Sequence, residues 1–242
     1  MATFILDGAT WSDSLSPDTP ASSVQAVTDG ITFSVDRGDL AEEKFRSELS
    51  GRDVGLTQEM LPDVDYRISF DLQTPGDWVP DDTPEIIWQL HKVPDTEEVD
   101  SPNQPITSLQ VHGTRLVLFY CYSTDPVSYA GKDLHCARSA EVGHIAAGTT
   151  YEVEIGMRMT AGLHTDGRLT VAIDGARQLT YSGSLGFDDT VGPYMKFGIY
   201  KFPWKTIHAH WRGYTETTVR EYTFLNFSVI RADSKFGIAP AI

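Results

Sequence analysis

Alternation with a period of two runs through most of this chain and leaves little room for helices. "ITFSVD" (Ile31 to Asp36), "YRISFDLQT" (Tyr66 to Thr74), "SLQVHG" and "RLVLFYCYS" (Ser108 to Ser123) and "YEVEIGMRMT" (Tyr151 to Thr160) each set apolar against polar residues. That is the pattern of a strand with one buried face. "GRLTVAIDGARQLTYSG" (Gly167 to Gly183) reads as two strands joined at Asp174-Gly175, a hairpin turn. "YMKFGIYKF" and "REYTFLNFSVIRA" complete the set. "DLAEEKFRSEL" can be drawn as a helix on Glu42, Glu43 and Leu49, but Phe45, Ser47 and Leu49 alternate, so a strand is expected there. Ten or more such strands, punctuated by 20 Gly and 13 Pro, predict an all-β fold. The expected architecture is a two-sheet antiparallel sandwich or β-jelly roll. No repeat, low-complexity tract or linker divides the chain, so residues 1–242 are expected to form one domain.

Composition excludes several partners. The formal net charge is −15, from 34 acidic and 19 basic residues. Nucleic acid and anionic membrane surfaces are therefore not expected to bind. No apolar run approaches the roughly 20 residues of a membrane span. The start, "MATFILDGATW", shows no basic region ahead of a long apolar stretch, so no secretory signal is read there. A mature extracellular form and a virion-associated protein both fit. Acidic stretches such as "PDTEEVDSPNQP" read as solvated loops, and no Asp-x-Asp-x-Asp-Gly loop marks a calcium site. Cys121 and Cys136 lack metal-site spacing, and the pair fits either a disulfide or two buried thiols.

Three strands carry unusual polar faces. In "EIIWQLHKV" (Glu85 to Val93), alternation puts Gln89 and His91 on one face and Trp88 and Leu90 on the other. In "FRSELS", Arg46 and Glu48 share a face. In "YMKFGIYK", Tyr194, Lys196, Gly198 and Tyr200 share one, with Met195, Phe197 and Ile199 opposite as core. Gly198 would leave space for a ligand to approach the backbone. An ordinary wet sheet face is the plain alternative for any one strand. Taken together, these residue types suit an anionic sugar: Arg and Lys grip a carboxylate, Gln donates to it, and His and Tyr move protons.

"FRSELS", "WQLH" and "YMKFGIYK" resemble the three signature strands of the β-jelly-roll polysaccharide lyases, in the same chain order. Alginate lyases of that fold carry Arg-Ser/Thr-Glu-Leu, Gln-Ile/Val-His and Tyr-Phe-Lys-x-Gly-x-Tyr. The later strands, from "HIAAGTTYEVEIGMRM" to "REYTFLNFSVIRA", look closer to the glucuronan lyases and the heparin lyase I-like group. The likeness runs from about Gly38 to the C-terminus, and only the three motifs are tight. After Tyr200 the chain reads "KFPWK", where alginate lyases usually have Asn-Gln, which lowers the case for alginate. The long loop "KFPWKTIHAHWRGYTETT" would overhang one end of a groove, and no family role matches its His208, His210 or Trp211.

The resemblance implies a concanavalin A-like β-jelly roll and β-elimination at a uronic acid of an anionic polysaccharide, with no cofactor or metal required and room for a structural calcium that no motif marks. Gln89 and Arg46 would hold the carboxylate, with His91 helping, so that charge can spread onto it as the C5 proton leaves. Tyr200 would move the proton if C5–H and O4 lie on the same side of the sugar. If they lie on opposite sides, His91 would be the base and Tyr200 the acid. Lys196 and Tyr194 would line the groove, and Glu48 would orient Arg46 or Lys196. Lys201 and Arg212 are also expected to bind substrate. With Arg46, Lys196 and Lys205 they would make the groove locally positive despite the net charge, since local field dominates within a Debye length. That balance favours a plain polyuronate, glucuronan-like, over a heavily sulfated chain. Two other readings remain: a non-catalytic carbohydrate-binding or structural jelly-roll module, and a sandwich-fold glycoside hydrolase. Hydrolysis needs a second acid flanking the bond, and the polar faces hold only Glu48.

Overall fold

The computed structural model describes residues 3–6, 9–38, 45–51, 60–93, 105–123, 138–160, 164–189, 191–205, 215 and 217–232. Among the described residues fifteen strands form two sheets, and every neighbouring pair is antiparallel. The eight-stranded sheet runs, edge to edge, β1 (Thr3–Leu6), β2 (Ala9–Leu15), β5 (Arg46–Ser50), β14 (Tyr194–Tyr200), β7 (Asp81–His91), β8 (Pro105–Gly113), β9 (Arg115–Tyr120), β10 (Arg138–His144). The seven-stranded sheet runs β13 (Ala176–Ser182), β12 (Arg168–Ile173), β11 (Thr150–Arg158), β6 (Asp65–Gln73), β15 (Val219–Ala232), β4 (Gly30–Asp36), β3 (Val24–Val27). The sandwich is the jelly roll expected from the alternation. The three motif strands β5, β14 and β7, distant in sequence, are adjacent at the centre of one sheet.

The core lies between the sheets. Phe197 of β14 stacks on Phe227 of β15 at 4.2 Å between ring centres and meets Trp11 and Phe33 edge-on at 5.0 and 5.6 Å. Trp88, Leu90 and Leu49 are fully buried beneath the outer face that holds the polar motif residues. Asp174 and Gly175 take positive φ of 50° and 74°, the conformation of the expected tight turn between β12 and β13. The sequence pattern did not show β1, β2, β3 or β10, which lie at or next to sheet edges. In β3 only Val24 is buried, so there is little alternation to read.

A second, wholly polar device ties the sheets together. Glu85 points inward from β7 and takes the Arg220 guanidinium of β15 on both carboxylate oxygens, with Nε at 2.8 and 3.0 Å. Tyr222 donates to the same carboxylate and accepts from Trp78 Nε1 at 3.1 Å. Each charged group here is buried but paired, which offsets its desolvation.

Candidate active site

Antiparallel register assembles the site. Across β14, Tyr194 faces His91 and Lys196 faces Gln89 on β7, while Tyr200 faces Arg46 on β5. Directly opposed side chains on one face touch. These residues line one groove of about 320 Å³ on the outer face of the sheet, together with Ile86, Pro105 and Lys205. A cavity of about 390 Å³ lies elsewhere, lined by Trp78, Thr217 and Arg220 among others. The residues described as lining it include neither histidine nor tyrosine, whereas the smaller groove gathers the sequence-predicted site residues.

Glu48 organises the groove from below. It is fully buried, and its Oε1 accepts from Gln89 Nε2 at 2.6 Å. Its Oε2 lies 3.2 Å from Arg46 Nε, an ionic contact. One buried carboxylate thus fixes both groups expected to grip a substrate carboxylate, and Gln89 keeps a second N–H to donate. Arg46 also lies over the Tyr200 ring, 4.2 Å from its centre, and Lys205 Nζ is 4.9 Å from the same centre.

His91 has a defined tautomer. Its Nδ1 lies 2.9 Å from the Lys92 carbonyl oxygen, which can only accept, so Nδ1 carries the hydrogen. Burial lowers the imidazole pKa, and Lys196 and Arg46 lower it further. The Lys92 carbonyl and Glu48 oppose this without reversing it. The ring is therefore neutral at pH 7, with a lone pair on Nε2. A neutral ring of that tautomer accepts a proton and has no second N–H to offer a carboxylate.

Two expectations change. Lys201 is not in the groove. Strand alternation sends it inward after Tyr200, where it is fully buried and donates to the Thr83 carbonyl at 2.5 Å, 3.3 Å from Asp81 Oδ1. Charge suggested the groove, but the period-two pattern itself points the other way. Gly198 does not open space for a ligand either. Its φ is +131°, and a Cβ there would lie 2.4 Å from the Ser47 carbonyl oxygen and 2.8 Å from the Phe33 ring. Glycine is required because β14 is pressed against β5 and the core. Arg212, His208, His210 and Trp211 lie outside the described residues, as does Cys136. Cys121 is buried, its thiol donating to the Pro105 carbonyl at 3.3 Å, and burial pushes its pKa up to about 12.

Some site residues were not legible. Ile86 lines the groove because the register of β7 slips between Ile86 and Trp88, so Ile86 faces outward where plain alternation would put Ile87. Asp81, in the acidic stretch "DWVPDD" that reads as a solvated loop, is instead buried at the start of β7, and with Glu85 of the same strand it draws Lys201 inward.

A sequence profile described as "Polysaccharide lyase" matches residues 10–221. Among solved structures, the fold is similar to an endo-β-1,4-glucuronan lyase from the fungus Trichoderma reesei (13% identity, 93% of this chain and 89% of that one, TM-score 0.63). It is similar also to an alginate lyase from Pseudomonas aeruginosa (19%, 89% and 88%, 0.56), and to an alginate lyase from polysaccharide lyase family 7 (16%, 94% and 91%, 0.52). At these identities the likeness is one of fold. A comparison with curated protein sequences found no match.

Proposed function

The chain belongs to the polysaccharide lyase family, and on that premise we propose that it cleaves a polyuronate, glucuronan-like, by β-elimination in the groove of Arg46, Gln89, His91 and Tyr200. The observation that carries this reading is the single buried Glu48 holding Gln89 and Arg46 side by side beneath a neutral His91 and a tyrosine. Gln89 and Arg46 bind the uronate carboxylate. Its charge is then compensated, and the electron pair left by the C5 proton spreads onto it as an enolate. The C4–O4 bond breaks, a C4=C5 double bond forms, and O4 leaves with a proton.

Stereochemistry divides the proton work. In a β-1,4-glucuronate, O4 and the carboxylate-bearing carbon lie on opposite faces of the ring, so C5–H and O4 share a face. Tyr200 then removes the proton and returns it to O4. In the C5 epimer they lie on opposite faces, and His91 Nε2 takes the C5 proton while Tyr200 protonates O4. His91 is the proton acceptor only for that epimer, and with either sugar it is not a clamp on the carboxylate, because its Nδ1–H is already committed to Lys92.

The test is ultraviolet absorbance of the unsaturated uronide on polyglucuronate, alginate and heparin separately. Absorbance growing fastest on polyglucuronate is expected. No growth on any uronate polymer would overturn the reading and favour a carbohydrate-binding module.

A further inference from the structure

The groove carries positive charge at two ends. Lys196 leans toward the His91 end, its Nζ 5.5 Å from the Tyr194 ring centre. Lys205 stands at the other end, its Nζ 4.9 Å from the Tyr200 ring centre and 5.3 Å from that of Phe45. From Lys196 to Tyr200 is four residues of extended chain, about 13 Å. Arg46 and Lys205 both stand over the Tyr200 ring, so a carboxylate gripped by Arg46 and Gln89 leaves Lys205 as a second cation beside the grip.

The position of Lys205 is built, not incidental. Phe202–Trp204 forms a short 3-10 turn with Pro203 in its first positions, where a fixed φ and a missing N–H cost nothing. Trp204 is fully buried and anchors the turn, and Lys205 N donates to the Phe202 carbonyl at 3.1 Å. The chain is thereby folded back over Tyr200, in the stretch "KFPWK" that departs from the alginate lyase pattern.

We propose that Lys205 is a specificity-determining residue that binds the carboxylate of the uronate next to the one being cleaved, with Lys196 holding another at the opposite end. The groove therefore selects a run of consecutive uronates over uronates alternating with uncharged sugars. This deepens the lyase reading and rests on it.

The experiment compares wild type, Lys205→Met and Lys205→Arg on three polymers. These are polyglucuronate, polyglucuronate with part of its carboxyls reduced to alcohols, and an alternating glucuronate–N-acetylhexosamine chain. Initial rates give KM and kcat, and calorimetry gives the affinity of polyglucuronate for the Tyr200→Phe protein with and without Lys205→Met. Lys205→Met is expected to raise KM on polyglucuronate about tenfold at low salt, the loss of one charge-assisted contact, with kcat little changed. The difference should shrink at high salt and on the reduced polymer, and Lys205→Arg should restore most of it. An unchanged KM, a fall in kcat alone, or equal wild-type KM on the alternating chain would overturn the proposal. Wild type that cleaves no uronate polymer would sink the lyase reading instead, and the calorimetric pair would still decide whether Lys205 binds carboxylates.

Discussion

Gln89 Nε2 donates to Glu48 Oε1 at 2.6 Å although the two residues sit on strands separated by β14. The bond crosses β14 between Lys196, the partner of Gln89, and Gly198, the partner of Glu48. Glu48 is therefore a positioning residue for the carboxylate grip. Glu48→Gln keeps the shape but removes the charge beside Arg46 and offers an N–H where Gln89 needs an acceptor. A hydrogen bond to a buried charged group contributes about 1.5–3 kcal/mol, so kcat/KM should fall by roughly 10- to 100-fold. Circular dichroism should be unchanged. A Glu48→Gln enzyme with wild-type kcat/KM would remove Glu48 from this role.

On a uronate whose C5–H and O4 lie on opposite faces, where His91 is the base, His91 sets the acid limb of activity. Burial is the largest cause depressing its pKa below the ordinary 6.5, aided by Lys196 and opposed by the Lys92 carbonyl and Glu48. A proton acceptor must be neutral to work, so activity that depends on it is present above the depressed pKa and lost as pH falls through it. The limb should lie on the acid side of 6.5. Lys196→Met removes a lowering cause and should move the His91 titration up, and Glu48→Gln removes a raising cause and should move it down. Ring-proton NMR of His91 across pH 4–8 in the three proteins measures this, and equal midpoints would contradict the assignment.

Strand order in the motif regions and the outward set Arg46, Gln89, His91, Tyr194, Lys196 and Tyr200 were legible because period two survives wherever one face is packed. The places where reading failed have physical causes. Gly198 looked like free space because a sequence shows which side chain is missing, not that a carbonyl stands 2.4 Å from where it would be. Lys201 looked like a groove cation because its partners lie more than a hundred residues upstream, Asp81 in a stretch that reads as a solvated loop and Glu85 at the start of a strand that reads as apolar. The edge strands β3 and β10 bury too little to show a pattern, and Ile86 faces outward only through a register slip that no composition signals.

Gly198 gives a stability prediction. At φ +131° any L side chain is strained, and a Cβ would also lie 2.7 Å from the Glu48 Cα. Gly198→Ala should cost about 2–4 kcal/mol, combining backbone strain with overpacking. Denaturant unfolding measures it. Because Tyr200 follows two residues later, the folded fraction should also lose activity. A midpoint equal to that of wild type would show that β14 can move away from β5.

The buried cluster around Lys201 predicts acid sensitivity. Asp81 accepts from Thr83 N and Oγ at 2.9 and 2.6 Å and from Thr217 Oγ at 2.7 Å, and it faces Lys201 at 3.3 Å. Burial alone would raise its pKa. Lys201 and the Thr215, Thr83 and Thr217 hydroxyls outweigh that and hold the carboxyl well below its ordinary 3.8. The folded chain thus binds fewer protons at Asp81 than the unfolded chain, so this stabilisation is present above the ordinary value and is lost as pH falls below it. Lys201→Met leaves Asp81 without its cation and should cost about 3–5 kcal/mol at pH 7. The difference in stability between Lys201→Met and wild type should narrow as pH falls from 5 to 3. Lys201 N also bonds the Phe45 carbonyl at 2.8 Å, a backbone bond that the substitution keeps, so the protein that stays folded should hold kcat and KM near the wild-type values. Unfolding curves at several pH values, read with kcat and KM at pH 7, test both parts, and a pH-independent gap would show that the cation contributes nothing to the carboxylate at Asp81.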